Sequence, residues 1–161
     1  MGGTFAEVNT GPIKTWRSKP RIILVDDEEW FLDFAEMLIH KYYPEADLLK
    51  FTNRNEAWGE LSGTEPDLLI TDLLHENIPG RIEPAEGYAR INGFEMLRLL
   101  AAKKVRYPIL VISGCLSMSG MEGWAKQCAG PNLKTYYLTK PFTEDLFYMG
   151  LRKCLGQVPE I

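Results

Sequence analysis

No apolar run in this chain is long enough to span a bilayer, which leaves no candidate for a membrane helix. No block of lysines and arginines stands out, and the net charge is −4, so the electrostatic footprint of a nucleic-acid binder is missing. The opening residues, MGGTFAEVNTGPIKTW, lack the apolar core of a secretory signal, and Ala6 stands where a myristoylation pattern needs Ser or Thr. There are only 3 cysteines, Cys115, Cys128 and Cys154, odd in number and far apart. That excludes a regular disulfide framework or a cysteine zinc site and suits reduced thiols in a cytosol. Internal repeats and low-complexity segments are also missing.

What is there is an ordinary globular composition, 45% hydrophobic and 25% charged, on 161 residues. One domain with short extensions accounts for it. Residues 1–20 show no sustained period and read as an N-terminal arm, a candidate for disorder. From there strands and helices alternate. RIILV at 21–25 is a buried strand, and 28–43 a helix with Phe31, Phe34, Ala35, Leu38 and Ile39 on one stripe, stopped at Pro44. Residues 47–51 form a second strand, and 56–61 a short helix capped by Asn53 or Asn55. DLLIT at 67–71 is a third strand. A long loop leads to a helix at 94–104, then PILVI at 108–112 is a fourth strand. A glycine-interrupted helix is expected over 117–128, a fifth strand over 135–139, and a last helix over 143–155, capped by Thr143. Runs such as IILV and ILVI, apolar throughout, belong to strands covered on both faces. The order therefore predicts an α/β fold, a doubly wound five-stranded parallel sheet with helices on each side. In such sheets the working crevice lies beyond the carboxyl ends of the strands.

The residues following the strands are Asp26-Asp27, Asp72, Ser113-Gly114 and Lys140-Pro141. Three carboxylates at one sheet edge repel one another unless a cation compensates. An all-oxygen set with room for water suits Mg²⁺ or Mn²⁺. Strand-end acids and a loop lysine are the plainer alternative. Glu28 and Glu29 read as the acidic start of a helix, favoured by its dipole, and Trp30 as packing or rim.

The ordered set "VDD", "ITDLL", "VISG" and "YLTKPF", each at its own strand end, resembles the receiver domain of two-component response regulators, over about residues 20–156. The resemblance implies a flavodoxin-like (βα)₅ sandwich at 21–156, with an extended loop at 73–92 and a tail at 157–161. It implies that Asp72 is the phosphoacceptor, attacking the phosphohistidine of a sensor histidine kinase or phosphotransfer protein. Asp27 and Asp72 would be side-chain ligands of Mg²⁺, Asp26 would act through water, and Leu74 would supply its backbone carbonyl. Lys140 would pair with a phosphoryl oxygen, with a cis bond before Pro141. Ser113 would swing toward the phosphoryl group, Gly114 would leave space beside it, and Tyr137 would follow the swing. Leu74 and Cys115 stand at positions that set the hydrolysis rate in this family, and neither suits the positioning of water, so a slowly hydrolysed phosphoryl group is implied.

Function then follows as an expectation. The chain is a cytoplasmic phosphorylation-dependent switch in a phosphorelay, not a turnover enzyme, without direct contact to nucleic acid or membrane. After Leu155 only GQVPEI remains, which suggests a stand-alone receiver or one cut from a larger protein. Output would run by docking to another protein, with room left for a homodimer. Two alternatives stay open. One is a phosphorylation-independent receiver-like binding module. The other is an aspartate-nucleophile phosphohydrolase, disfavoured because Leu74 stands where such an enzyme needs an acid. The loop from 73 to 92, with two prolines and two glycines over HENIPGRIEPAEGYARI, reads as a lid or partner-selective surface. His75 within it reads as a solvated histidine rather than a kinase-type phosphorylation site.

Overall fold

The computed structural model describes residues 19–73 and 91–156. The expectations placed on residues 1–18, on Leu74 and His75 within 74–90, and on the tail at 157–161 lie outside them. Among the described residues five strands form one parallel sheet: β1 (Arg21–Val25), β2 (Asp47–Phe51), β3 (Leu68–Thr71), β4 (Ile109–Ser113) and β5 (Thr135–Thr139). Their spatial order is β2-β1-β3-β4-β5, the doubly wound arrangement expected from the sequence. The helices are α1 (Glu29–Tyr42), α2 (Arg54–Gly63), α3 (Gly93–Lys103), α4 (Met121–Ala129) and α5 (Glu144–Leu155). Among the described residues no helix is long and apolar enough to cross a membrane.

The three inner strands are buried on both faces because their side chains alternate between two cores. Ile22 and Leu24 of β1, with Leu110 and Ile112 of β4, point into one core with Phe31, Ala35, Phe147 and Leu151 from α1 and α5. Ile23 and Val25, with Ile109 and Val111, point into the other with Ala57, Phe94, Leu97 and Ala125 from α2, α3 and α4. Burial of so many aliphatic side chains, each contributing about 1.5–3 kcal/mol, holds the sheet between its helix layers. The edge strands β2 and β5 are only partly covered.

Three local expectations change. On α1 the buried stripe is Phe31, Leu32, Ala35, Leu38 and Ile39, while Phe34 lies 38% exposed. The helix has turned so that Leu32 takes the core position and Phe34 packs on its rim against Phe142. The helix α2 begins two residues earlier than its apolar pattern suggested, because Asn53 caps it by accepting from the amides of Asn55 and Glu56. The stretch predicted as one helix over 117–128 is split. A 3₁₀ turn at Gly114–Ser117 comes first, and α4 starts only after Gly120, whose φ of 84° is open to glycine but costly for other residues.

One close approach decides how the third strand leaves the sheet. The amide of Gly93 donates to the carbonyl of Leu73 at 2.7 Å. A Cβ at Gly93 would lie 2.3 Å from the Leu73 Cα and 2.4 Å from the Asp72 carbonyl oxygen. Only glycine lets α3 begin this near the end of β3. Asn92 then closes the helix start with a capping box to Glu95.

Candidate functional site

The chain order reverses between β1 and β3, so their carboxyl ends open into a crevice. Backbone bonds continue the ladders one residue past the strands. The Asp26 amide donates to the Phe51 carbonyl at 3.1 Å, and the Asp72 amide to the Val25 carbonyl at 3.3 Å. Asp26, Asp27 and Asp72 are thereby delivered together, with one carboxylate oxygen from each lying within 4.8 Å of the others. Asp26 and Asp72 are buried, and Asp27 is partly exposed.

Two cations meet this cluster from opposite sides. Lys140 follows β5, and its amide donates to the Ser113 carbonyl at 3.2 Å, which locks the ends of β4 and β5 together. The Lys140–Pro141 peptide is cis. The Lys140 Nζ donates to Asp26 Oδ2 at 2.8 Å, lies 3.5 Å from Glu28 Oε1, and rests 4.1 Å from the centre of the Phe31 ring. Glu28 is therefore a neighbour of the site, beyond the helix-start role read from sequence. Trp30, left open between packing and rim, lies 62% exposed with its ring edge-on to Phe31.

The second cation is Arg54, the first residue of α2. Its side chain is only 4% exposed, and its Nη2 donates to Asp72 Oδ1. Sequence reasoning missed it, since a lone arginine after a capping asparagine carries no motif. The signal that could have found it is positional: α2 starts at the carboxyl edge of the sheet, where a long side chain on the inward face of its first turn reaches the strand ends.

Electrostatics in the crevice are set mainly by dehydration. Burial pushes the Asp72 carboxyl up from 3.8 to about 7, with Asp26 and Asp27 adding repulsion and Arg54 opposing both. Burial also raises Asp26, against the attraction and hydrogen bond of Lys140. With Asp72 ionised, three carboxylates face two cations, so the cluster keeps a net negative charge and an all-oxygen donor set. Its chemistry fits a hard divalent cation such as Mg²⁺.

Ser113, at the end of β4, is buried, and its hydroxyl donates to Cys115 Sγ at 3.3 Å while accepting from the Cys115 amide. Burial pushes the Cys115 thiol up, so it stays protonated at neutral pH. A Cβ at Gly114 would meet no atom within 4 Å, so there is open space beside Ser113. Tyr137, on β5, is half-buried, and its hydroxyl donates to Thr135 Oγ1 at 3.0 Å under Lys126.

The architecture is the flavodoxin-like fold of receiver domains, and many of the solved structures that share it are response regulator receivers. One is the signal receiver domain of an HD domain-containing protein from Pseudomonas fluorescens, 19% identical, covering 85% of this chain and 94% of that one with a TM-score of 0.63. A second is the receiver domain of a sensor histidine kinase from Pseudomonas aeruginosa, with a magnesium ion coordinated in its active-site cleft. It is 17% identical, covers 86% of this chain and 99% of that one, and has a TM-score of 0.63. A third is a chemotaxis protein of Vibrio cholerae, 18% identical, covering 85% and 99%, with a TM-score of 0.62. No protein-family model matches the sequence. No curated protein matches it either.

Proposed function

We propose that this chain is a phosphorylation-dependent signalling switch that accepts a phosphoryl group on Asp72 from a histidine kinase or phosphotransfer protein. The observation that carries the reading is the convergence of Asp26, Asp27 and Asp72 within 4.8 Å, with Lys140 beside them, at the carboxyl edge of a receiver-type sheet. An Asp72 carboxylate oxygen forms a bond to phosphorus, and the bond from phosphorus to the donor's imidazole nitrogen breaks, its electron pair staying with the imidazole. Lys140, a point charge on a short tether to Asp26, is placed to pair with a phosphoryl oxygen. Asp27 and Asp72 would hold Mg²⁺ directly and Asp26 through water, with the Leu74 carbonyl proposed as a further ligand; a kinase receiver of similar fold carries magnesium in its active-site cleft. Bound there, Mg²⁺ neutralises charge on the transferring group. Ser113 and Tyr137 carry the change outward: the Ser113 hydroxyl exchanges Cys115 for a phosphoryl oxygen, and Tyr137 follows into the opened space. The phosphorylated form then docks a downstream protein.

The test is direct. After incubation with Mg²⁺ and acetyl phosphate, the intact protein should gain the mass of one phosphoryl group. Borohydride reduction should convert Asp72, and no other aspartate, to homoserine. Free turnover of acetyl phosphate without an adduct would replace the switch by a hydrolase. The adduct should also persist for minutes or longer after the donor is removed. Leu74 carries no polar side chain, and Cys115 offers only a neutral thiol, a weak hydrogen-bonding group, so neither orients a hydrolytic water. Decay within seconds would contradict that.

One observation favours a second reading. Arg54 already neutralises part of the Asp72 charge. A receiver-like module working without phosphorylation would need such an internal counter-ion, and absence of any adduct would select it.

A further inference from the structure

We propose that Arg54 is a second phosphoryl-binding cation of this site, which holds Asp72 Oδ1 in the resting protein and transfers its hydrogen bonds to the phosphoryl oxygens once Asp72 is phosphorylated. The inference rests on the switch reading above and adds to it a residue that the motif set does not contain.

Four observations support it. First, the side chain is 4% exposed, so its charge is committed to the crevice and not to solvent. A buried guanidinium must keep an anionic partner. Second, it engages the carboxylate through one nitrogen only. Nη2 meets Oδ1, while Nε, on the same edge of the fork, is buried and has no partner among the described residues. Buried donors are rarely left so, and an unmatched one asks for a ligand. Third, a tetrahedral phosphoryl group offers three oxygens, and a guanidinium edge takes two of them side by side, a match that a single carboxylate oxygen does not make. Fourth, Oδ1 is the oxygen held, so Oδ2 is the one left for phosphorus. Transfer turns Oδ1 into a neutral carbonyl oxygen and moves negative charge onto the phosphoryl group, which removes Arg54's ionic partner and supplies a better one beside it.

Position makes this feasible. Asn53 caps α2 by accepting two amides of its first turn, which fixes the backbone from which Arg54 reaches inward. Lys140 is held away at Asp26 by its own contacts. The phosphoryl group would thus lie between a lysine point charge on the β5 side and a guanidinium fork on the β2 side.

The probe is beryllofluoride with Mg²⁺, a stable mimic of a phosphoryl group on a carboxylate. Wild type, Arg54→Gln and Arg54→Lys are titrated by ¹⁹F NMR, and Mg²⁺ alone is titrated by intrinsic fluorescence. Beryllofluoride affinity should fall about tenfold or more in Arg54→Gln, and substantially in Arg54→Lys, which keeps the charge but loses the fork. A bound fluorine resonance should shift in both. At about pH 9, where Asp72 is ionised, Mg²⁺ alone should bind each variant at least as tightly as wild type, because a competing cation has been weakened or removed. Beryllofluoride affinities within about twofold of wild type, with unshifted resonances, would leave Arg54 as a resting counter-ion only and overturn the proposal. If Arg54→Gln does not fold, Arg54→Lys alone decides by the same criterion. A wild type that binds Mg²⁺ but not beryllofluoride overturns this proposal with the switch reading, whereas failure confined to the variants' predicted loss overturns this proposal alone.

Discussion

Gly93→Ala should cost this protein about 3 kcal/mol or more, seen as a fall in thermal midpoint on the order of 10 °C. The added methyl would sit 2.3 to 2.5 Å from three backbone atoms, the Leu73 Cα, the Asp72 carbonyl oxygen and the Leu73 carbonyl oxygen. Side chains can rotate out of such a clash, but backbone at the end of a central strand cannot. The only relief is to push α3 away from β3, which breaks the 2.7 Å bond from the Gly93 amide to Leu73 and displaces the Asp72 peptide. Stability and Mg²⁺ response should therefore fall together. The same substitution at Gly59, exposed on α2 with no atom within 4 Å of the new methyl, should instead stabilise by about 0.5–1 kcal/mol, since alanine is the better helix former. Melting curves of both variants check this, and equal behaviour would refute it.

The contrast shows where the sequence is legible. Strands β1, β2 and β5 appear over the same residues as expected, and β3 and β4 within one residue. Apolar runs and strand-end acids are local signals, and the doubly wound order follows from their alternation. The four strand-end motifs point to Asp26, Asp27, Asp72, Ser113 and Lys140, and the fold brings their elements to one edge. Two things could not be read. Gly93 looks like any glycine at a helix start, because its steric role comes from a strand twenty residues earlier. Arg54 has no motif, because its partner Asp72 is met only after the rest of α2 and the whole of β3. The turn of α1 that places Leu32 inside and Phe34 outside is of the same kind, since it depends on how Phe142 packs.

Mg²⁺ should raise the melting temperature strongly near pH 8 and very little near pH 5.5. Burial holds the folded Asp72 carboxyl at about 7 against an ordinary 3.8, so the folded state binds this proton more tightly than the unfolded chain does. Stability from this group is full below about pH 4 and is lost as pH rises through about 7. Asp26 shifts in the same direction. The metal-free protein thus becomes less stable across that window. A bound divalent cation needs the ionised carboxylate, so Mg²⁺ affinity should weaken about tenfold per unit of pH below about 7. At a hundredfold excess over its dissociation constant, Mg²⁺ should add about 2.7 kcal/mol near pH 8. Asp27→Ala should abolish the response at every pH, while Glu29→Ala should leave it nearly intact. Melting with Mg²⁺ and with chelator at the two pH values is the measurement, and equal shifts at both would refute the coupling.

The bond between Gly93 and Leu73 has a consequence for the crevice. The chain departs at Leu73 and is back at Ile91, whose amide donates to Asn55 Oδ1 at 3.1 Å. The ends of the intervening segment are thus clasped to each other and to α2, beside the crevice. The sheet does not register how much chain lies between the clasped ends, and doubling such a length costs only about 0.6 kcal/mol in closure entropy. The start of α3 is held beside Asp72 by backbone and side-chain bonds at Leu73, Ile91 and Gly93, so this wall of the crevice is set by three residues near the two ends of the excursion.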